Sequence, residues 1–294
     1  MKRAIFSIHI DLEDNKLDKQ LGPYWAWEPE DRSTKTKRVM NEYSERLIKN
    51  KKDYADLHGC DYFHYVKGPH YYEFRDLMYE WCPEQNEYHV VNFYKLWMMD
   101  RLTDVYNEVL YVDFDVLFET EDNFFEVHDL SKGIHVHLED YHEEALKYIA
   151  RWSDQKLYLR SMINKYFIAH ALCSHDFMSP RVPITNTGII GATREHIRQL
   201  DYFRNLEEIL NNITFFKTDP DSMYTDNIKE TMDYNNEPIY SYLLAKNEVP
   251  AVNINGPWHR ILDHTVETKE QYLALERKMS HFITKKFAWH YETD

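Results

Sequence analysis

Two carboxylates, Asp113 and Asp115, interrupt an apolar run over residues 109–118. A short run rich in valine and aromatic residues has the pattern of a buried strand. Side chains alternate along a strand, so the two aspartates would face the same way, roughly 7 Å apart. Like charges in an apolar setting repel each other and lose hydration. A divalent cation at the carboxyl end of the strand would resolve both problems. Two solvated carboxylates in a turn just past the strand would avoid them, and the motif alone admits either reading. A second polar interruption, Asn186-Thr187-Gly188, sits between apolar pairs within residues 180–191. Gly188 would let a ligand come close to the backbone, and Asn186 offers a donor and an acceptor. A β-bulge without a ligand is the alternative. His135 and His137 would share a face of a strand over 133–138, either as cross-strand packing or as metal ligands.

These residues need a sheet to hold them. Residues 4–10 read as a first strand, which starts almost at the first residue. Residues 11–31 follow as a long loop with Pro23, Pro29, Tyr24, Trp25 and Trp27. A helix capped by Ser33 or Thr34 runs to about residue 57. Val39, Tyr43, Leu47 and Ala55 form its apolar face, and its lysines and arginines form a solvated one. A strand over 61–66 comes next, then an irregular stretch over 67–90. A helix over 92–105 keeps Phe93, Leu96, Met99 and Leu102 on one face, with Lys95 off it. This strand–helix–strand–helix–strand order implies right-handed crossovers and ligands at the carboxyl ends of strands. Further helices are expected over 141–152 and 155–172. One more, capped by Thr193, carries Ile197, Leu200, Phe203, Leu206, Leu210 and Ile213. Residues 214–236 read as a loop. Glu237-Pro238 opens another helix, residues 250–254 form a late strand, and a last helix lies around 266–278.

Composition narrows the functional classes. With 294 residues, 43% of them hydrophobic, the chain can bury one large core. Its net charge of -15 speaks against a nucleic-acid partner. Three widely spaced cysteines without Cys-x-x-Cys argue against a disulfide framework and a zinc knuckle, and suit a reducing compartment. No stretch has the length and apolarity of a membrane span, and the N-terminus lacks the pattern of a signal peptide. A cytoplasmic protein is the expectation. Seven glycines disfavour Gly-rich phosphate loops. The 23 tyrosines and 7 tryptophans mean packing, with some available to line a sugar platform.

Three stretches together resemble the GT-A glycosyltransferases. The hallmark of that class is Asp-x-Asp ending a hydrophobic strand, often as Leu-Tyr-x-Asp-x-Asp-x-Leu, and it stands here as Leu110-Tyr111-Val112-Asp113-Phe114-Asp115-Val116-Leu117. Asn186-Thr187-Gly188-Ile189-Ile190 is similar to a later segment of the glycogenin-like family. His281, Phe282 and Trp289 keep the spacing of that family's closing His-Phe-x-Gly-x-x-Lys-Pro-Trp, with Thr284, Phe287 and Ala288 replacing Gly, Lys and Pro. Tyr54-Ala55-Asp56-Leu57-His58-Gly59 is similar instead to a segment of a galactosyltransferase family related to yeast mannan enzymes.

The resemblance implies an α/β chain with a Rossmann-like, mixed but mostly parallel central sheet flanked by helices. It implies one domain over 1–294, with a nucleotide-binding half over about 1–120 and a donor-sugar and acceptor half over about 121–294. It also implies a UDP- or GDP-sugar donor, a glycan or other hydroxyl acceptor, and Mn²⁺ or Mg²⁺. Asp115 would ligate the metal, Asp113 the metal or the donor ribose, and His281 would be the third ligand. Lys285 or Lys286 would meet the pyrophosphate in place of the missing family lysine. Asn186 and Gly188 would hold the donor sugar. Lys95 would contact the diphosphate or sugar, or else make a helix-surface salt bridge. His9, Asp11 and Tyr62 would seat the nucleobase. Glu237 and Asp226 lie where the class places an acidic catalytic residue, and both resembled families transfer with retention. A sugar-nucleotide nucleotidyltransferase is a competing expectation, although the early loop lacks the glycines and basic residues it would need. A non-catalytic nucleotide-sugar-binding protein of the same fold is another.

Overall fold

The structure is a computed structural model that describes residues 1–12, 32–140, 142, 157–230, 232–262, 266, 268–282 and 290. The aromatic loop expected after residue 12, the helix expected over 141–152 apart from residue 142, and Lys285 and Lys286 lie outside the described residues.

The central sheet contains β1 (Arg3–Ile8), β2 (Asp61–Tyr65), β3 (Glu108–Val112), β5 (Ile134–Glu139), β6 (Ile184–Thr193) and β7 (Ala251–Asn253). Their order is β2-β1-β3-β6-β5-β7. β1 is parallel to β2 and β3, and β5 is parallel to β7. β6 is antiparallel to β3 and β5, so five strands run one way and β6 alone runs against them. This is the expected mixed, mostly parallel sheet. Both faces are covered: Phe6, Val109 and Tyr111 pack into one layer, Ile5, Leu110 and Val112 into the other. Covering on both faces explains why β3 is continuously apolar from Val109 to Val112. A smaller sheet joins β4 (Val116–Phe118), β9 (Met279–Phe282) and β8 (Arg260–Leu262), in that order.

Helix α1 (Arg32–Leu57) packs against β1, β2 and β4. Residues 67–90 are not irregular: α2 (Pro69–Trp81) occupies most of them. Pro69 starts this helix instead of breaking it, because the first turn has no use for its missing N–H. Tyr71, Phe74 and Met78 are its buried stripe. Helix α3 (Glu87–Thr103) begins five residues earlier than the periodicity predicts, where the Asn86 side chain accepts a hydrogen bond from the His89 N–H. Lys95 is not off the apolar face; it is buried. After the short helix α4 (Phe124–Val127), α5 (Leu157–His175) covers the expected 155–172 helix. The single helix expected after Thr193 is two, α6 (Arg194–Leu200) and α7 (Leu206–Thr218). Asp201 at the break takes a left-handed φ of 47°, which ends α6. Within the expected 214–236 loop lies a one-turn helix, α8 (Asp226–Lys229); α9 (Asn236–Lys246) and α10 (Lys269–Ala274) complete the α-helices among the described residues. No helix among the described residues is long and apolar enough to cross a membrane.

Candidate metal centre

The run over 109–118 is two strands, not one. β3 ends at Val112, and the Asp113 N–H makes one more ladder bond, to the Gly188 carbonyl at 2.7 Å. The chain then turns, with the Val116 N–H donating to the Asp113 carbonyl at 3.0 Å, and enters the second sheet as β4. Asp113 and Asp115 therefore do not alternate along a strand. They stand in a turn just past its carboxyl end, yet are not freely solvated, with side chains 26% and 20% exposed.

β9 runs antiparallel to β4 with His281 opposite Val116, which brings a residue from far along the chain beside the aspartates. His281 Nε2 lies 3.2 Å from Asp115 Oδ1 and 3.6 Å from Asp113 Oδ2. One ligand atom from each of the three residues falls within 4.8 Å of the others. Burial disfavours an imidazolium, but the two carboxylates outweigh it and lift the His281 pKa to about 9. Burial pushes the Asp115 carboxyl up, and His281 brings it below its ordinary value. Without a metal, a proton on His281 neutralises part of the aspartate charge. A divalent cation at the same point would replace that proton.

The donor set fits such an ion. Two carboxylates and an imidazole suit Mn²⁺ better than Mg²⁺, which prefers oxygen alone. The ligands are also braced from behind, as metal ligands need to be. Asp113 Oδ1 accepts from the Tyr111 hydroxyl at 2.5 Å and from Lys95 Nζ at 3.4 Å. Lys95 also lies over the Tyr111 ring. Its ion pair is thus a buried one, not the helix-surface salt bridge of the competing reading. Below the turn, Lys51 is wholly buried and donates to the carbonyls of Phe114 (2.8 Å) and Val116 (2.7 Å), the two residues flanking Asp115. Burial lowers its pKa to about 7, against the pull of Asp115 and Asp113. It does not belong to the solvated face expected of α1. Lys51 fills the one gap in the four-residue steps of Val39, Tyr43, Leu47 and Ala55, and that gap was the available signal.

Gly188 also bears on the space within the centre. A Cβ there would stand 2.6 Å from His281 Cε1, 2.7 Å from its Nδ1 and 3.0 Å from Asp113 Oδ2. The glycine therefore makes room for the His281 ring. The β5–β6 register breaks here: Val136 pairs with Ile190, but His137 pairs with Asn186. The side-chain oxygen of Asn186 accepts from the Gly188 N–H at 3.0 Å within that irregularity.

Glu237, in the first turn of α9, is tied to the same segment. Its Oε1 accepts from the Thr187 N–H at 2.9 Å, and its other oxygen pairs with Lys165 on α5. Burial raises the Glu237 pKa, but Lys165, Lys95 and the Thr187 N–H bring it below the ordinary value and keep it ionised. Asp226 stands apart: its side chain is 98% exposed, and its ion pair is with Lys229 at 4.0 Å. No ion pair or side-chain hydrogen bond among the described residues joins it to the triad.

Of the expected nucleobase residues, His9 and Asp11 follow the carboxyl end of β1, whereas Tyr62 is the second residue of β2, opposite Ile5. His9 stacks on Phe114 with ring centroids 4.3 Å apart, and His64 stacks near the same ring at 5.2 Å. Ser7 Oγ is hydrogen-bonded to the Tyr62 hydroxyl at 2.8 Å and to His64 Nδ1 at 3.0 Å. Asp11 pairs with Lys37 at 3.2 Å. Burial lowers the pKa of His9, and that of His64 to about 4, so both rings are neutral at pH 7. Of the two histidines on β5, His135 packs against His128, and His137 against His259.

Neither a protein-family model nor a curated protein matches the sequence. Solved structures do match along nearly the whole chain. A glycosyltransferase involved in glycosylation of the major capsid of PBCV-1 is 12% identical, over 99% of this chain and 98% of that one, with a TM-score of 0.43. An active-site mutant of LgtC is 13% identical over 95% and 86%, with a TM-score of 0.46. Mouse xyloside xylosyltransferase 1 is 9% identical over 96% and 98%, with a TM-score of 0.47. All three TM-scores lie under 0.5, so the fold description rests on the strand order and the pairing given above.

Proposed function

We propose that the chain is a metal-dependent glycosyltransferase of the GT-A class that moves a sugar from a UDP- or GDP-sugar to a hydroxyl of a glycan or other acceptor, with retention. The observation that carries this reading is the convergence of Asp113, Asp115 and His281 at the carboxyl end of β3. In this reading the nucleotide-binding half covers about residues 1–120 and the sugar and acceptor half the remainder of one domain. Asp113, Asp115 and His281 would hold Mn²⁺ or Mg²⁺, which supplies Lewis-acid stabilisation of the departing diphosphate. Lys95 is poised beside Asp113 to meet that diphosphate, as would Lys285 or Lys286. His9, Asp11 and Tyr62 seat the base, and the stacked His9 and Phe114 rings offer it an apolar edge. Asn186 and Gly188 border the sugar. Glu237 is the catalytic carboxylate, kept ionised and fixed by Lys165 and Thr187. The exposed Asp226 is left without that support. The three cysteines are free and buried, in keeping with a reducing compartment.

A thermal-shift screen of nucleotide sugars with and without Mn²⁺ tests the class. The expected result is a stabilisation by one nucleotide sugar that needs the metal and vanishes in Asp115→Ala while that variant stays folded. Donor hydrolysis or transfer at the wild-type rate by Asp115→Ala would sink the proposal.

A further inference from the structure

His259 has no part in the reading above, yet it is enclosed beside the triad, at 1% exposure. Its segment is anchored to β9, because the N–H groups of Lys278 and Met279 both donate to the Pro257 carbonyl, at 2.7 and 3.0 Å. The His259 ring lies almost parallel to that of His281, 20° apart with centroids at 5.4 Å, and its Nε2 is 3.2 Å from His281 Nδ1.

The chemistry of imidazole then assigns the protons. A neutral imidazole carries one N–H. With His281 Nε2 facing a cation, the proton of His281 must sit on Nδ1, where His259 Nε2 lies at hydrogen-bond distance. His259 must then carry its own proton on Nδ1. That nitrogen is buried and has no hydrogen-bond partner among the described residues. An unpaired buried N–H is a cost that an apolar residue of the same shape would not incur. Packing alone therefore does not account for a histidine here, whereas a hydrogen bond to His281 does. Other approaches to the His281 ring are restricted: the carboxylates face Nε2, and the space between Gly188 and the ring is too small even for a Cβ.

We propose that His259 is a positioning residue for the metal centre, accepting the Nδ1–H of His281 and so holding His281 Nε2 towards the point where Asp113 and Asp115 would share a divalent cation. This rests on the reading of the triad as a metal site. Hydrogen-bond partners behind a ligating histidine typically account for about 10–100-fold in metal affinity.

The test is titration of the full chain with Mn²⁺ alone, free ion being followed by electron paramagnetic resonance, for the wild type and for Asp115→Ala, His259→Leu, His259→Gln and His259→Asn. Thermal melts establish that each variant is folded. The expected result is loss of binding in Asp115→Ala, an affinity about 10–100-fold weaker in His259→Leu, and recovery in His259→Gln, whose amide oxygen reaches the position of Nε2. His259→Asn, whose amide stops at the position of Nδ1, should not recover. If Asp115→Ala loses Mn²⁺ while His259→Leu keeps wild-type affinity, the positioning role is overturned and the metal site stands. If His259→Leu does not fold, equal affinities of the Gln and Asn variants overturn it. Wild-type affinity in Asp115→Ala overturns the metal site, and the positioning role with it.

Discussion

At the scale of single residues, the centre depends on how little room surrounds the His281 ring. Gly188 is the sharpest case. A methyl group there would meet ring atoms at 2.6 and 2.7 Å, distances that real Cβ contacts do not show, so the ring or the strand has to move. Gly188→Ala is expected to weaken Mn²⁺ binding by at least tenfold while the chain still melts cooperatively; wild-type affinity in a titration would refute this account of the glycine. Glu237 and Asp226 differ just as clearly. Glu237 is held by a lysine and a backbone N–H, whereas Asp226 faces solvent. Glu237→Gln should lower kcat by about 100-fold or more, the size of a lost general acid–base or charge-stabilising group, and leave Mn²⁺ affinity unchanged. Asp226→Ala should remain close to wild type in the same steady-state assay. The reverse ranking would move the catalytic carboxylate to Asp226.

At the scale of elements, the centre is a join between two sheets, and the join is secured from below by α1. Lys51 supplies the securing bonds, since its ammonium closes off the carbonyls of Phe114 and Val116 where β3 hands over to β4. Lys51→Met keeps the bulk of the side chain but leaves those carbonyls without a donor. An unmet buried acceptor costs about 1–3 kcal/mol, so urea denaturation should show a loss of that order. An unchanged or raised midpoint would mean that the carbonyls find other donors. The same element shows what the sequence can and cannot disclose. The stripe of α1 and the strands β1 and β2 follow from local periodicity and are found where expected. Lys51, Lys95 and Lys165 do not, because a lysine within an apolar stripe reads as polar whichever way it points. Their partners lie in distant segments, and local spacing carries no trace of them. Pro69 misleads for a related reason: whether a proline opens or interrupts a helix depends on the packing of Tyr71, Phe74 and Met78 after it. The turn at 113–115 stays one of two readings of the sequence, because the apolar residues on either side belong to different sheets and cannot be told apart by composition.

At the scale of the whole molecule, residues near 115 and near 280 are locked together by a buried network as well as by the centre. Glu119, just after β4, accepts from Tyr272 at 2.8 Å and from Arg277 at 3.1 Å, and also pairs with Ser280 and His290. Burial raises its pKa, but these partners more than reverse that and bring it from 4.5 to about 2. A depressed carboxylate adds stability that is complete above the unfolded value near 4.5 and lost as pH falls through the folded one near 2. Linkage puts the contribution at roughly 3 kcal/mol. Between pH 5 and pH 2 the wild type should therefore lose more stability than Glu119→Gln does; parallel pH profiles from denaturant titrations would contradict this. The pairing of β4 with β9 has a further consequence, for biosynthesis. On the ribosome, β1, β2, β3, β5 and β6 all precede β9, but the register that sets His281 against Val116 cannot form until His281 has left the exit tunnel. A nascent chain would hold the two aspartates without their imidazole, so metal loading, and any turnover that depends on it, would have to await the emergence of β9.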